Sequence, residues 1–289
     1  MSIRALLILI IAVPALLFGG AMALGMKIPV PEWGRGYVLS FLITPEGSQI
    51  ELPDIAGPND LDRPLVVIDA GHGGRDPGSV SGGVNEKDVV LAVSLALRDA
   101  LLESGSVRVA MTRDDDSIVP LADRPEIARQ LEADLFISIH ADSAGEASDV
   151  SGASIYTLSN EASSEAAARF AARENNADRV NGLEIDGQSE EVSAILVELS
   201  QARTQDDAAD FASLIVRESE GKLRFHPSAR RSAALAVLRA PDVPAVLFES
   251  GFVTNEDDRA RLTTEEGRAQ YAEVLAQAIR VYFARRSQD

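Results

Sequence analysis

Apolar and polar positions along this chain fall into blocks of two kinds. Leu65–Ile68 is a run of four apolar residues that stops at Asp69. A run this short, rich in Val and Ile, predicts a buried strand. From Glu86 to Glu103 the apolar positions Val89, Val90, Val93, Leu97, Ala100 and Leu101 recur at helical spacing. Asn85 suits the N-cap of that helix, Asp88 its third position and Gly105 its stop. Val107–Met111 reads as a second strand, Leu121–Leu131 as a helix, and Leu135–Ile139 as a third strand that ends at His140. Ala153–Leu158 is a fourth strand, polar helices fill 161–220, and Leu235–Leu238 and Ala245–Phe248 are two more strands before a terminal helix, Glu265–Phe283. Strands alternating with helices predict an α/β fold with helices packed on a mainly parallel sheet.

Before residue 64 the pattern is different. Arg4 precedes Ala5–Phe18, an uncharged apolar stretch, and Ala21-Met22-Ala23 supplies a small-x-small cleavage site. This is the pattern of a secretory signal peptide over 1–23. The competing reading is an uncleaved anchor, because residues 5–26 carry no charge and are long enough to span a bilayer. In either case the rest of the chain faces outside the cytoplasm, and membrane contact comes only through an uncleaved N-terminus. Residues 24–63 carry Pro29, Pro31, Pro53 and Pro58, with one candidate strand at Tyr37–Ile43. They predict a linker or wrapping arm, too short for a core of its own.

Composition narrows the function. At 46% apolar and 25% charged the chain can build an ordinary core. Its net charge of −18 argues against nucleic acid as a partner, because phosphate binding needs clustered Lys and Arg. With no cysteine, any metal site must use His, Asp or Glu.

The polar residues at the strand ends are of those types. His72 follows the first strand in a glycine-rich loop, Asp69-Ala70-Gly71-His72-Gly73-Gly74. That loop lacks the lysine of a P-loop and the G-x-G-x-x-G spacing. Glu86 opens the next helix, where its carboxylate can point back toward the strand ends; His140 follows the third strand and Glu249 the last. Each alone has a plain explanation: a loop or core histidine, an acid favourable to a helix dipole, a glutamate paired with an arginine. Together they bring four groups used in zinc chemistry to one sheet edge. Two histidines and a carboxylate form a catalytic zinc set with a fourth position open for water. Zinc lowers the pKa of that water to about 7 and polarises a carbonyl, and a second carboxylate can serve as general base. The chemistry implied is metal-assisted amide hydrolysis. His226, in the basic stretch RFHPSARR, is a further candidate for substrate contact.

The motifs DAGHGGRDPG, NEKD, SIHAD and LRAPDVPAVLFESGFVTNEDD, in this order, resemble the zinc-dependent N-acetylmuramoyl-L-alanine amidases of the amidase-3 family, of the division-amidase type. The resemblance spans about 64–286. It implies a catalytic domain there, with a twisted six-stranded sheet flanked by helices on both faces and one Zn2+ per chain. It also implies cleavage of the amide between muramic acid and the L-alanine of the peptidoglycan stem peptide, in cell-wall remodelling and daughter-cell separation in the periplasm. Residue by residue, His72, Glu86 and His140 match the zinc ligands and Glu249 the catalytic glutamate. Two other functions remain open: a zinc peptidase acting within the stem peptide, for which no HExxH motif is present, and an inactive wall-binding protein, which would be expected to have lost one of the four residues.

Residues 159–234 exceed what a βα crossover needs. Asn160 can cap a helix from Glu161 with Ala166, Ala167, Phe170 and Ala171 on its apolar face; 174–191 then breaks periodicity, and Val192, Ile195, Leu196 and Leu199 mark a second helix. The resemblance implies that this insertion covers the active site, places an inhibitory glutamate on the zinc, and is displaced by a LytM-type activator. Glu174 is the candidate for that glutamate, with Glu184, Glu190 and Glu191 as rivals.

Overall fold

The computed structural model describes residues 50–145, 147–180 and 194–287. The segment 1–23, the candidate strand Tyr37–Ile43, Val192, and the glutamates Glu184, Glu190 and Glu191 lie outside the described residues. In chain order the elements are β1 (Leu65–Ala70), a hairpin of β2 (Val80–Ser81) and β3 (Val84–Asn85), α1 (Glu86–Ser104), β4 (Arg108–Met111), α2 (Asp123–Gln130), β5 (Leu135–Asp142) and β6 (Ala153–Leu158). Then come α3 (Glu165–Glu174), α4 (Ala177–Val180), α5 (Ala194–Glu218), β7 (Phe225–Ala233), a 3₁₀ turn at Ala236–Leu238, β8 (Ala245–Phe252), α6 (Glu256–Thr263) and α7 (Glu265–Arg286).

Six strands form one sheet in the order β4-β1-β5-β8-β6-β7. The first four run parallel; β6 is antiparallel to β8, and β7 is parallel to β6. The central strands are buried on both faces, which is why they read as continuous apolar runs. Strand alternation sorts their side chains onto two cores. Val66, Ile68, Ile137, Ile139, Val246 and Phe248 face α1, α5 and α7. Leu65, Val67, Phe136, Leu247 and Tyr156 face α2, α3 and the 3₁₀ turn. Ahead of β1, Ala56 bridges antiparallel to Val109, exchanging backbone hydrogen bonds of 2.8 and 2.9 Å. The edge of β4 is thereby partly covered.

Several boundaries differ from the sequence expectation. Leu235–Leu238 is not a strand: Ala236–Leu238 is a 3₁₀ turn, and the sixth strand is β7, in the polar stretch that holds His226. An outer strand half open to solvent needs no apolar run, and its register shifts opposite Ala153 and Ile155 around Pro227. The hairpin β2–β3 and helix α6 were not expected. Helix α3 starts four residues later than expected: Ser164, not Asn160, is its cap, with Oγ accepting from the Ala167 amide at 3.1 Å. Ala166 is exposed, so the apolar face is Ala167, Phe170 and Ala171. At α1 the Asn85 side chain caps no backbone amide and donates instead to Asp88 at 2.8 Å. Gly105 closes α1 in the left-handed conformation, φ +57°, as its type favours. Finally, β5 and β8 run on past the apolar runs, so His140 and Glu249 lie within strands and not after them.

Candidate active site

The loop after β1 is shaped by buried charge. Asp69, fully buried, accepts hydrogen bonds from Thr112 Oγ1 and Ser138 Oγ (both 2.6 Å) and from Arg124 Nη1 (2.8 Å). Burial alone would raise its carboxyl; Arg124 and the two hydroxyls hold it below the ordinary value. Arg124 also donates to the carbonyls of Ala70 (3.0 Å) and His72 (2.8 Å), and Arg113 donates to those of Ala70 (2.8 Å) and Gly71 (2.7 Å). Two buried guanidiniums therefore fix three successive carbonyls, and with them His72 at φ +60°, a conformation few non-glycine residues adopt. A Cβ at Gly71 would lie 2.5 Å from the His140 ring, so only glycine lets the two histidines approach. Arg124→Met leaves Asp69 charged and buried without its ion pair. Denaturant titration should record a loss of about 3–5 kcal/mol, the usual cost of removing one partner from a buried pair. A loss under about 1 kcal/mol would mean that the loop does not depend on this arginine.

Four ligand-type atoms converge beyond that loop. Glu86 Oε1 lies 3.1 Å from His72 Nε2 and 3.2 Å from His140 Nδ1. Glu174 Oε2 lies 3.5 Å from each of the same nitrogens. The remaining bonds orient these groups. His72 Nδ1 is 2.8 Å from Asp76 Oδ2, which leaves Nε2 to face the centre, and Nε2 makes no hydrogen bond. Glu86 accepts from the amides of Ala141 (2.9 Å) and Ser79 (2.8 Å). His72, His140 and Glu174 are a group that could hold a metal, their ligand atoms all within 4.8 Å of one another. Tetrahedral ligands at 2.0–2.2 Å from zinc stand roughly 3.3 Å apart, and the four separations of Glu86 and Glu174 from the histidines, 3.1 to 3.5 Å, fit that spacing. Burial would lower the His72 imidazole, but Glu86, Asp76 and Glu174 raise it well above its ordinary value. A centre so lined attracts a cation. Beside it is a cavity of about 20 Å³, room for about one water.

Glu249 is Cα partner of His140 across β8 and β5. It is fully buried, and neither carboxylate oxygen accepts a hydrogen bond. Burial raises its carboxyl well above the ordinary value, with the charges of Asp142, Glu86 and Glu174 adding to the effect. Among the described residues no arginine forms a hydrogen bond or ion pair with Glu249; the nearby Arg173 charge offsets the rise only in part. Asp142 instead takes the arginine: Arg173 Nη2 donates to it at 2.6 Å, and Arg173 Nε donates to Glu174 at 3.1 Å. Helix α3, which carries Arg173 and Glu174, is seated by the stacking of Phe170 on Tyr156 (4.5 Å between ring centroids) and by Asn175, which bonds the backbone at Ala234 and Ala236.

The structure brings His72, Glu86, His140 and Glu174 to one point and sets Glu249 beside them. It places His226 elsewhere, in β7, half-buried near Phe252. Sequence reading had no role for Asp76, Arg113, Arg124, Asp142 or Arg173. Asp76 had a signal, an acid four residues from a candidate ligand in the same loop, where outer-shell partners of metal-binding histidines are expected. The arginines come from segments that are distant in sequence, and no spacing announces them.

The chain spans about half the length of the AmiC relatives it matches: it is 35% identical over 226 residues to the N-acetylmuramoyl-L-alanine amidase AmiC of Escherichia coli O6:H1, covering 77% of this chain and 54% of that one. It is 37% identical over 221 residues to AmiA of Salmonella typhimurium, covering 76% of each. Among solved structures, AmiC2 of Nostoc punctiforme superposes with a TM-score of 0.55 at 29% identity, over 76% of this chain and 97% of that one. No helix among the described residues is long and apolar enough to cross a membrane. Residues 66–281 match the Amidase_3 model, described as N-acetylmuramoyl-L-alanine amidase, and the chain belongs to that family.

Proposed function

We propose that this chain is an exported peptidoglycan amidase of the periplasm, acting in wall remodelling and daughter-cell separation. It hydrolyses the amide between N-acetylmuramic acid and the L-alanine of the stem peptide. The observation that carries this reading is the spacing of two carboxylate oxygens, 3.1–3.5 Å from the same two imidazole nitrogens. His72, Glu86 and His140 would hold one zinc ion, which when bound would supply Lewis-acid polarisation of the amide carbonyl and lower the pKa of a water. Asp76 keeps the His72 tautomer in which Nε2 is the ligand atom. Glu249 takes the proton of the attacking water and returns it to the leaving alanine nitrogen. Its burial beside the carboxylates of Asp142, Glu86 and Glu174 suits that role, because a raised carboxyl holds a proton long enough to deliver it.

Glu174, 3.5 Å from both histidine nitrogens, would add its carboxylate to that site and close it to substrate in the resting protein. Space for about one water beside the cluster does not admit a glycopeptide, so α3 must move before substrate enters. A LytM-type activator that binds the displaced form better than the seated one would shift the population. Digestion of purified sacculi by the chain and by Glu174→Ala tests both parts. Hydrolysis should release stem peptides with free L-alanine amino termini, and Glu174→Ala should do so about tenfold faster without a partner, the effect of about 1.4 kcal/mol on the barrier. New termini elsewhere in the stem would assign a peptidase instead. No new termini from either protein would reject hydrolysis, and equal rates would reject the lid.

A further inference from the structure

A groove of about 680 Å³ opens between α3 and β7. Asp142 and Arg173 line it, and Arg173 also donates to Glu174, so one side chain joins the groove to the metal cluster. In a chain of net charge −18 this groove gathers arginines: Arg169, paired with Glu165 at 2.6 Å, and Arg173 line it from α3, and Arg230 and Arg231 line it from β7 beside His226. Its one acid, Asp142, is already engaged by Arg173 at 2.6 Å.

His226 is set up as a donor. Its Nδ1 receives the Ser228 amide at 3.0 Å and faces Arg231 Nη2 at 2.8 Å. Two donors on Nδ1 place the ring hydrogen on Nε2. Partial burial and then the Arg231 charge lower its pKa, so the ring stays neutral in that tautomer. Arg231 is itself fixed, with Nη1 donating to the Tyr156 hydroxyl at 3.0 Å and Nε to the Ser228 carbonyl at 3.2 Å. Arg230, the preceding residue in the strand, turns its guanidinium to the other face of the sheet, where Nη1 donates to Ser213 Oγ of α5 at 2.7 Å. This wall belongs to the sheet and does not depend on the position of α3.

We infer that the β7 wall of this groove, His226 Nε2 with the guanidinium of Arg231, binds a free carboxylate of the stem peptide and so directs the peptide side of the substrate away from the metal. The inference rests on the amidase reading. Of the two halves of that substrate, the glycan is uncharged along its backbone, whereas the stem peptide carries free carboxylates beyond its first alanine. A fixed arginine wall matches the planar, paired oxygens of a carboxylate. It also explains how a strongly acidic protein holds an acidic peptide.

The test is calorimetric titration of the full chain with a free stem tetrapeptide and with the same peptide carrying amidated carboxylates. The free peptide should bind about tenfold tighter or more, as charge-assisted bonds imply. Arg231→Gln and His226→Phe should each erase most of that difference while leaving affinity for the amidated peptide unchanged, and Arg230→Gln, on the other face of the sheet, should keep it. His226 is half-buried and lines the groove, so its variant is informative even if Arg231→Gln disturbs Tyr156. No binding, equal binding of the two peptides, or Arg231→Gln and His226→Phe both keeping the discrimination would overturn the inference. Sacculus digestion reports separately on the amidase reading: discriminating peptide binding without alanyl termini would sink the reaction and keep the site.

Discussion

Glu249→Gln should lower sacculus hydrolysis by roughly 10²–10⁴-fold, the usual range for loss of a general acid–base, while zinc content stays at one per chain. The side chain keeps its shape, so packing in β8 should survive. The two carboxylate oxygens have no hydrogen-bond partner, so the substitution breaks no bond that the fold uses. Its effect is therefore confined to proton transfer. Near-normal turnover would remove Glu249 from that role and shift it to Asp142 or Glu174, the other buried carboxylates beside the cluster. Loss of zinc in the same variant would mean that Glu249 belongs to the ligand set.

His140→Ala should empty the metal site after dialysis. Removing a direct ligand should cost more affinity than the roughly 10–100-fold that outer-shell changes cost, and hydrolysis should fall below detection. The melting transition should stay cooperative. Asp69, Arg113 and Arg124 hold the loop by its own carbonyls and hydroxyl partners, so its shape does not depend on the ion. A variant that keeps one tightly bound zinc would refute the ligand assignment; one that fails to fold would show that the ion is structural.

What could be read in advance followed burial. The parallel strands β1, β5 and β8 are apolar on both sides and stand out as runs; β7, half-exposed and interrupted by Pro227, does not. His140 and Glu249 were visible because each is a titratable residue at the end of such a run, and Glu86 because it opens a helix. Their arrival at one sheet edge was legible, because each follows a strand; their spacing was not, because it depends on which strands become neighbours: β5 lies between β1 and β8, an order that no local pattern encodes. The Asp142–Arg173–Glu174 chain was hidden for a different reason. It joins a strand end to an insertion helix, and charged residues on a helix read as solvated until the partner surface is known.

The pairing of His140 with Glu249 has a further consequence. Both belong to the period-two series that also points Phe136 and Leu247 into the core beneath α2 and α3. A slip of one residue between β5 and β8 would turn that apolar series and one of these two residues to the opposite face together. Correct assembly of the core and correct assembly of the catalytic group are thus one event. A misregistered molecule would be unstable and inert at once, so the chain has no compact, wrongly folded form that retains the chemistry without the fold.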